Sequence, residues 1–244
     1  LQPMKWIDDW PVIGIDEDGD GTGEPVSSFT KPDIGRILPP ATLRTDDEFN
    51  ASTMGLQWQW NANPSLTWGY PSEAYGVYRL NCTLRPDSMP NLWRVPNLFL
   101  QKLPAEKFTA TARIKCTLRN EGEEAGMIVM GRDYRYISLT FSDERLQLRV
   151  VTCQGADEGA PEEVVYSEEL TEGDIYFRVN VEKGAEVTFS YSTDGEAFVE
   201  AGDSFRAREG MWTGAKIGFF ALRTGNTNDS GYADIDWFRI NTAE

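Results

Sequence analysis

From Phe108 onward the chain alternates apolar and polar residues with a period of two, and this pattern limits its fold more than any other feature. "FTATARIKCTL" puts Phe108, Ala110, Ala112, Ile114 and Cys116 on one side and Thr109, Thr111, Arg113 and Lys115 on the other. Successive side chains of an extended strand point to opposite faces, so the pattern fits a strand with one dry face and one wet face. "YRYISLTFS", "ERLQLRVVTC", "IYFRVNVEKG" and "AEVTFSYSTDG" repeat the scheme, separated by the polar turns "SDE", "EKGAE" and "TDGEA". No stretch after Asn50 keeps a 3.6-residue apolar stripe over successive turns. The expected body is all-β, with many short antiparallel strands in a sandwich rather than a barrel. No repeat of fixed period occurs, which argues against a propeller or solenoid built from this chain alone.

Composition narrows the function classes. With 244 residues, 40% of them hydrophobic and 12% aromatic, the chain can bury one large core, or one core and a small appendage. No apolar run approaches the ~18 residues of a membrane span. No basic and then apolar leader opens the chain, so an export signal is expected upstream or already removed. The acidic surface and unpaired cysteines fit a periplasmic, secreted or cytoplasmic home. The net charge of −16 repels nucleic acid and anionic membranes but not neutral ligands such as carbohydrates. Cys82, Cys116 and Cys153 are odd in number and widely spaced, and read as buried thiols. Histidine is absent, which excludes Ser-His-Asp and Cys-His catalysis and a His-ligated zinc from this chain. Only carboxylate chemistry stays open.

The chain divides into an opening segment (1–30), a linker (31–45) carrying Pro32, Pro39 and Pro40, and a strand-rich body (46–244). Several stretches could carry function. Trp58 and Trp60, two apart, share a strand face, while Trp68 and Tyr70 follow beyond Pro64. Both indoles fill the core in one reading. In the other, Trp58, Trp60, Trp68 and Tyr70 stack on sugar rings while Asn61 and its polar neighbours bond hydroxyls. Asp16, Asp18 and Asp20 before Gly21 make a run that resembles the first half of a calcium loop. The acid expected at its twelfth position is replaced by Ser27, with Glu24 nearby, and a solvated turn is the alternative. In "GYADIDWFRI", Ala233, Ile235 and Trp237 alternate with Asp234, Asp236 and Phe238. The two acids could form a catalytic pair or decorate the wet face of a last strand.

Together these residues resemble the C-terminal part of a glycoside hydrolase of family 43. "WIDDWPVIGIDEDGDGTGEPV" resembles the end of that family's five-bladed propeller, and "MGLQWQWNANPS" the start of its concanavalin A-like (jelly-roll) sandwich. "NLFLQKLPAEKFTATARI", "AGMIVMGRDYRYISL", "VTFSYSTDGEAF", "WTGAKIGFFA" and "GYADIDWFRI" follow in the same order. The resemblance implies a parent enzyme that hydrolyses xylosides and arabinofuranosides by inversion. Its Asp base, Glu acid and modulating Asp lie on the propeller, and none of them maps onto this chain. It also implies a sandwich that leans on the propeller and lends a loop to the rim of the active-site pocket.

The leading expectation is therefore a non-catalytic sandwich module of a xylan-degrading glycosidase, partnered by an upstream catalytic propeller and a xylo- or arabino-oligosaccharide. No cofactor is required, with calcium the one candidate. A stand-alone lectin-like domain is the alternative, but it leaves Trp6 and Trp10 without a partner surface. A self-sufficient hydrolase ranks last.

Overall fold

A computed structural model describes residues 1–37 and 42–242. Residues 38–41, with Pro39 and Pro40 of the expected linker, and residues 243–244, at the end of the expected sandwich, lie outside the described residues. The chain separates into two compact units, Leu1–Leu43 and Arg44–Glu244.

The first unit holds one antiparallel hairpin, β1 (Met4–Ile7) and β2 (Trp10–Ile13). Asp8 and Asp9 turn the corner at φ of 49° and 64°. Positive φ at both central residues gives the turn a twist that matches the strands. Ile15 and Glu24 then bridge across the acidic turn.

The second unit begins with β3 (Gln59–Trp60), β4 (Gly69–Ser72), β5 (Val77–Asn81), β6 (Thr83–Leu84) and β7 (Phe99–Lys102). Four longer strands follow: β8 (Phe108–Thr117), β9 (Glu123–Met130), β10 (Tyr134–Ser142) and β11 (Arg145–Cys153). After a 3-10 turn (Ala156–Glu158) come β12 (Glu163–Leu170), β13 (Asp174–Glu182), β14 (Glu186–Ser192), β15 (Val199–Glu200) and β16 (Phe205–Arg206). The last two are β17 (Lys216–Arg223) and β18 (Tyr232–Asn241).

These strands make two sheets. The first runs β12-β11-β10-β9-β17-β7-β3, with β6 beside β17; the second runs β15-β14-β13-β8-β18-β5-β4, with β16 beside β14. Apart from the short β6–β17 contact, the pairings are antiparallel. The chain crosses between sheets after β3, β5, β7, β8, β12, β16 and β17, as a jelly-roll sandwich requires. Phe108, Ile114, Phe177, Val179 and Phe189 of the second sheet meet Phe99, Met127, Ile137, Leu148 and Phe219 of the first in one continuous core. The three cysteines are buried free thiols, as the sequence implied.

The outer faces differ. Strands β8 and β13 alternate buried and partly exposed residues, as their sequences predict. Strands β9, β10 and β17 are buried on both faces over most of their length. The segment before β7 explains this: Leu92, Val95 and Leu98 lie over Ile128, Met130, Tyr134, Tyr136 and Phe220 and close a second, smaller core outside the sandwich.

Candidate functional site

Trp58 is 3% exposed. Its ring stacks on Phe99 at 4.5 Å and meets the edge of Phe238 at 5.3 Å, and its Nε1 donates to Asp47 Oδ2 at 3.0 Å. Both the apolar and the polar parts of the indole are spent inside the core, so Trp58 offers no face to a sugar. Trp60 packs half-buried against the same core, and Trp68 meets it edge-on at 5.4 Å. The Asn61 amide donates to the Trp93 and Val95 carbonyls at 3.3 and 2.9 Å, which anchors the segment over the second core. Tyr70, on β4, is 44% exposed and is the one member of the five in solvent. An exposed Trp58–Trp60 platform is thus not formed.

The last strand departs from its expected alternation. A bulge between Ile235 and Trp237 shifts the register against β8. An extra residue reverses the faces beyond it. Phe238 therefore enters the core, while Trp237 turns outward beneath the Arg239 guanidinium. Asp234 and Asp236 are held apart by separate arginines: Arg79 grips Asp234 through two bonds of 2.7 Å, and Arg113 joins Asp236 at 3.1 Å and Asp174 at 2.9 Å. These acids serve ion pairs on the outer face of the second sheet.

In the first unit, one oxygen each of Asp16, Asp18 and Asp20 lies within 4.8 Å of the others. The same carboxylates also hold the turn: Asp16 accepts from the Gly19 and Gly21 amides at 2.7 and 3.0 Å, and Asp20 from Thr22 at 2.7 Å. The three acids supply only part of the six to eight oxygens that calcium takes.

Two further features lie outside the sequence reading. The first is the loop before β17, where Trp212 is 95% exposed at φ 65° and Met211 beside it is exposed too. This loop closes onto the β9–β10 turn, where the Arg132 amide donates to the Glu209 carbonyl at 3.0 Å. A Cβ on Gly131 would stand 1.8 Å from the Arg208 carbonyl oxygen, so only glycine permits the approach. An aromatic between glycines, "GMWTG", outside any alternating run, was the available signal. The second is a cavity of about 220 Å³ on the outer face of the first sheet, lined by Arg85, Glu124, Tyr136, Arg149, Glu162 and Leu222, among others. Arg85 pairs with Glu162 at 2.8 Å, and Ser138 Oγ donates to Glu124 Oε1 at 2.6 Å. Burial, with Glu162 adding to it, pushes the Glu124 carboxyl above its ordinary range.

Residues 46–241 match the family of beta-xylosidase C-terminal concanavalin A-like domains. The chain belongs to that family. Among relatives of this sandwich domain, a beta-xylosidase of Formosa agariphila is 30% identical over 98% of this chain and 41% of its own length. The non-reducing end alpha-L-arabinofuranosidase BoGH43B of Bacteroides ovatus is 26% identical over 98% of this chain and 44% of its own. The chain spans 38% to 44% of the length of the curated relatives it matches. The crystal structure of the GH43 BlXynB protein from Bacillus licheniformis shares the fold, with a TM-score of 0.72 at 23% identity over 99% of this chain and 46% of that one.

Proposed function

We propose that this sandwich is the non-catalytic module of a family 43 glycosidase that hydrolyses xylosides or arabinofuranosides of plant cell-wall polysaccharide. In this reading it packs on the catalytic domain and lends Trp212 to the rim of a sugar pocket. The exposed Trp212 carries the reading. A bulky residue held at positive φ costs free energy, and a whole indole in water gains nothing for the isolated fold. Both become favourable if the ring stacks on a ligand or partner. The hairpin of the first unit points the same way: Trp6 and Trp10 are 67% and 72% exposed. Two strands alone are marginal in water, and two exposed indoles suit a docked catalytic domain. The relatives named for xylosidase and arabinofuranosidase activity are more than twice as long as this chain, which leaves room for that domain.

Assay of the chain alone on p-nitrophenyl xyloside and arabinofuranoside tests the non-catalytic role. No nitrophenol release is expected, and steady turnover would overturn the reading. In a protein carrying both domains, Trp212→Ala is expected to raise KM for xylo-oligosaccharides with an unchanged melting temperature. The Asp16–Asp18–Asp20 turn is read as a weak calcium loop that braces the hairpin. Calcium should then raise the hairpin's resistance to proteolysis, and an Asp18→Asn variant should lose that gain.

A further inference from the structure

The roof over the first sheet stops part-way along its strands. At one end Ile128, Tyr136 and Val151 face outward under the second core. Toward the other end the outward positions turn polar. Gly126, Ser138 and Arg149 form one cross-strand row, and Glu124, Thr140 and Gln147 the next. The row of Glu124 ends on Leu222 of β17. The cavity lies over these rows, and Arg85 is the residue of the segment before β7 that lines it.

We propose that this open half is a binding cleft of the module's own for one ring of a neutral, hydroxyl-rich sugar. The cleft combines two kinds of wall. Val151, Val164 and Leu222 supply an apolar side for the C–H face of a ring, and Glu124, Arg149, Tyr136 and Thr224 supply polar groups. Polar side chains outnumber apolar ones along this lining, which suits a ligand rich in hydroxyls.

The charges decide which ligand suits it. Two guanidinium groups, Arg85 and Arg149, face two carboxyl groups, Glu124 and Glu162, so the cleft has no excess of either sign to hold an ion. The chain as a whole carries −16 and repels anions. Two of these groups keep bonding capacity. Arg149 makes one hydrogen bond, to Gln147 at 3.0 Å, and no ion pair among the described residues. Among the described residues Glu124 uses only Oε1, toward Ser138. A donor fork beside an acceptor oxygen matches neighbouring hydroxyls, each of which both donates and accepts. Every arginine facing outward on β8 and β5 of the second sheet, by contrast, is already paired with an aspartate.

Titration of the chain with xylotetraose, arabinotriose and cellotetraose, followed by amide NMR, tests the cleft. At least one probe is expected to shift the Ser138, Thr140, Val151 and Val164 amides saturably at millimolar concentration. Arg149→Met keeps the aliphatic stem and is expected to weaken binding about tenfold or more, while Arg113→Met on the opposite sheet leaves it unchanged. Thermal melting of both variants reports that the fold is intact. Absence of shifts at these amides with all three probes, or equal affinity in Arg149→Met, would overturn the proposal. So would binding of glucuronate where the neutral probes fail.

Discussion

The two sheets of the sandwich use similar strand sequences and end with different outer faces. On the second sheet, β8 and β13 alternate to their ends: inward residues fill the core, and Arg113 on the outward side pairs with Asp174 and with Asp236 of β18. On the first, the outward side is dry along one half and polar and indented along the other. A sheet face bare to solvent needs only polar side chains, but a face with a roof creates an edge where the roof stops, and cavities form at such edges. Glu123 and Glu124, adjacent on β9, show how sharply the environment divides. Glu123 points inward and accepts from the Arg119, Asn120 and Gly231 amides at 2.6, 3.0 and 2.5 Å, tying the first sheet to the start of β18. Burial alone would raise its carboxyl, but these donors outweigh it and hold the group below the ordinary range. Glu124 points into the cleft, lacks such donors, and is raised by burial instead.

If the roof is a true second core, Leu92→Ala should cost about 2–5 kcal/mol, read as a lower urea midpoint; a loss the size of a surface substitution would erase the contrast between the sheets. Next in size is the tie between them. Glu123→Gln is expected to cost about 1–3 kcal/mol at neutral pH. Because the folded-state value of Glu123 lies below its ordinary 4.5, its contribution is full above that pH and is lost as pH falls through the depressed value. The acid limb of stability should therefore be flatter in the variant, and parallel limbs would show that Glu123 does not join the sheets. The smallest effect belongs to the wet face: Arg113→Met breaks two ion pairs whose side chains are well exposed, and a change within about 1 kcal/mol is expected. A larger loss would mean that the second sheet also depends on its outer face.

Much of the sandwich was legible in order along the chain. The alternating run of β8, the polar turns and the absence of helical stripes each followed from local stereochemistry. The site was less so. Trp58 and Trp60 look alike in sequence and both pack on Phe99, yet only contact with Phe238 and Asp47 separates the fully buried indole from the half-buried one. Trp237 and Phe238 exchanged their expected faces because one bulged residue inverts everything after it, and no side-chain pattern announced the bulge. Trp212 was present in a quoted family stretch, but its exposure depends on where the loop before β17 leaves the sheet. The cleft residues Arg85, Glu124, Arg149 and Glu162 come from four separate segments, which no linear spacing connects.

The sequence by itself determined an all-β chain with a jelly-roll body, buried thiols, no histidine chemistry and membership in a family of xylosidase sandwich domains. The strand pattern, the thiols and the missing histidine depend on residue type and on periods of a few residues, which the chain carries locally, whereas the jelly-roll body and the family rest on the resemblance of several stretches in the same order. The tertiary structure decided which strand faces are roofed, which acids are neutralised by arginine and where a cavity stays open. These outcomes depend on contacts between residues far apart in sequence, where burial and pairing are set by whichever segment folds across.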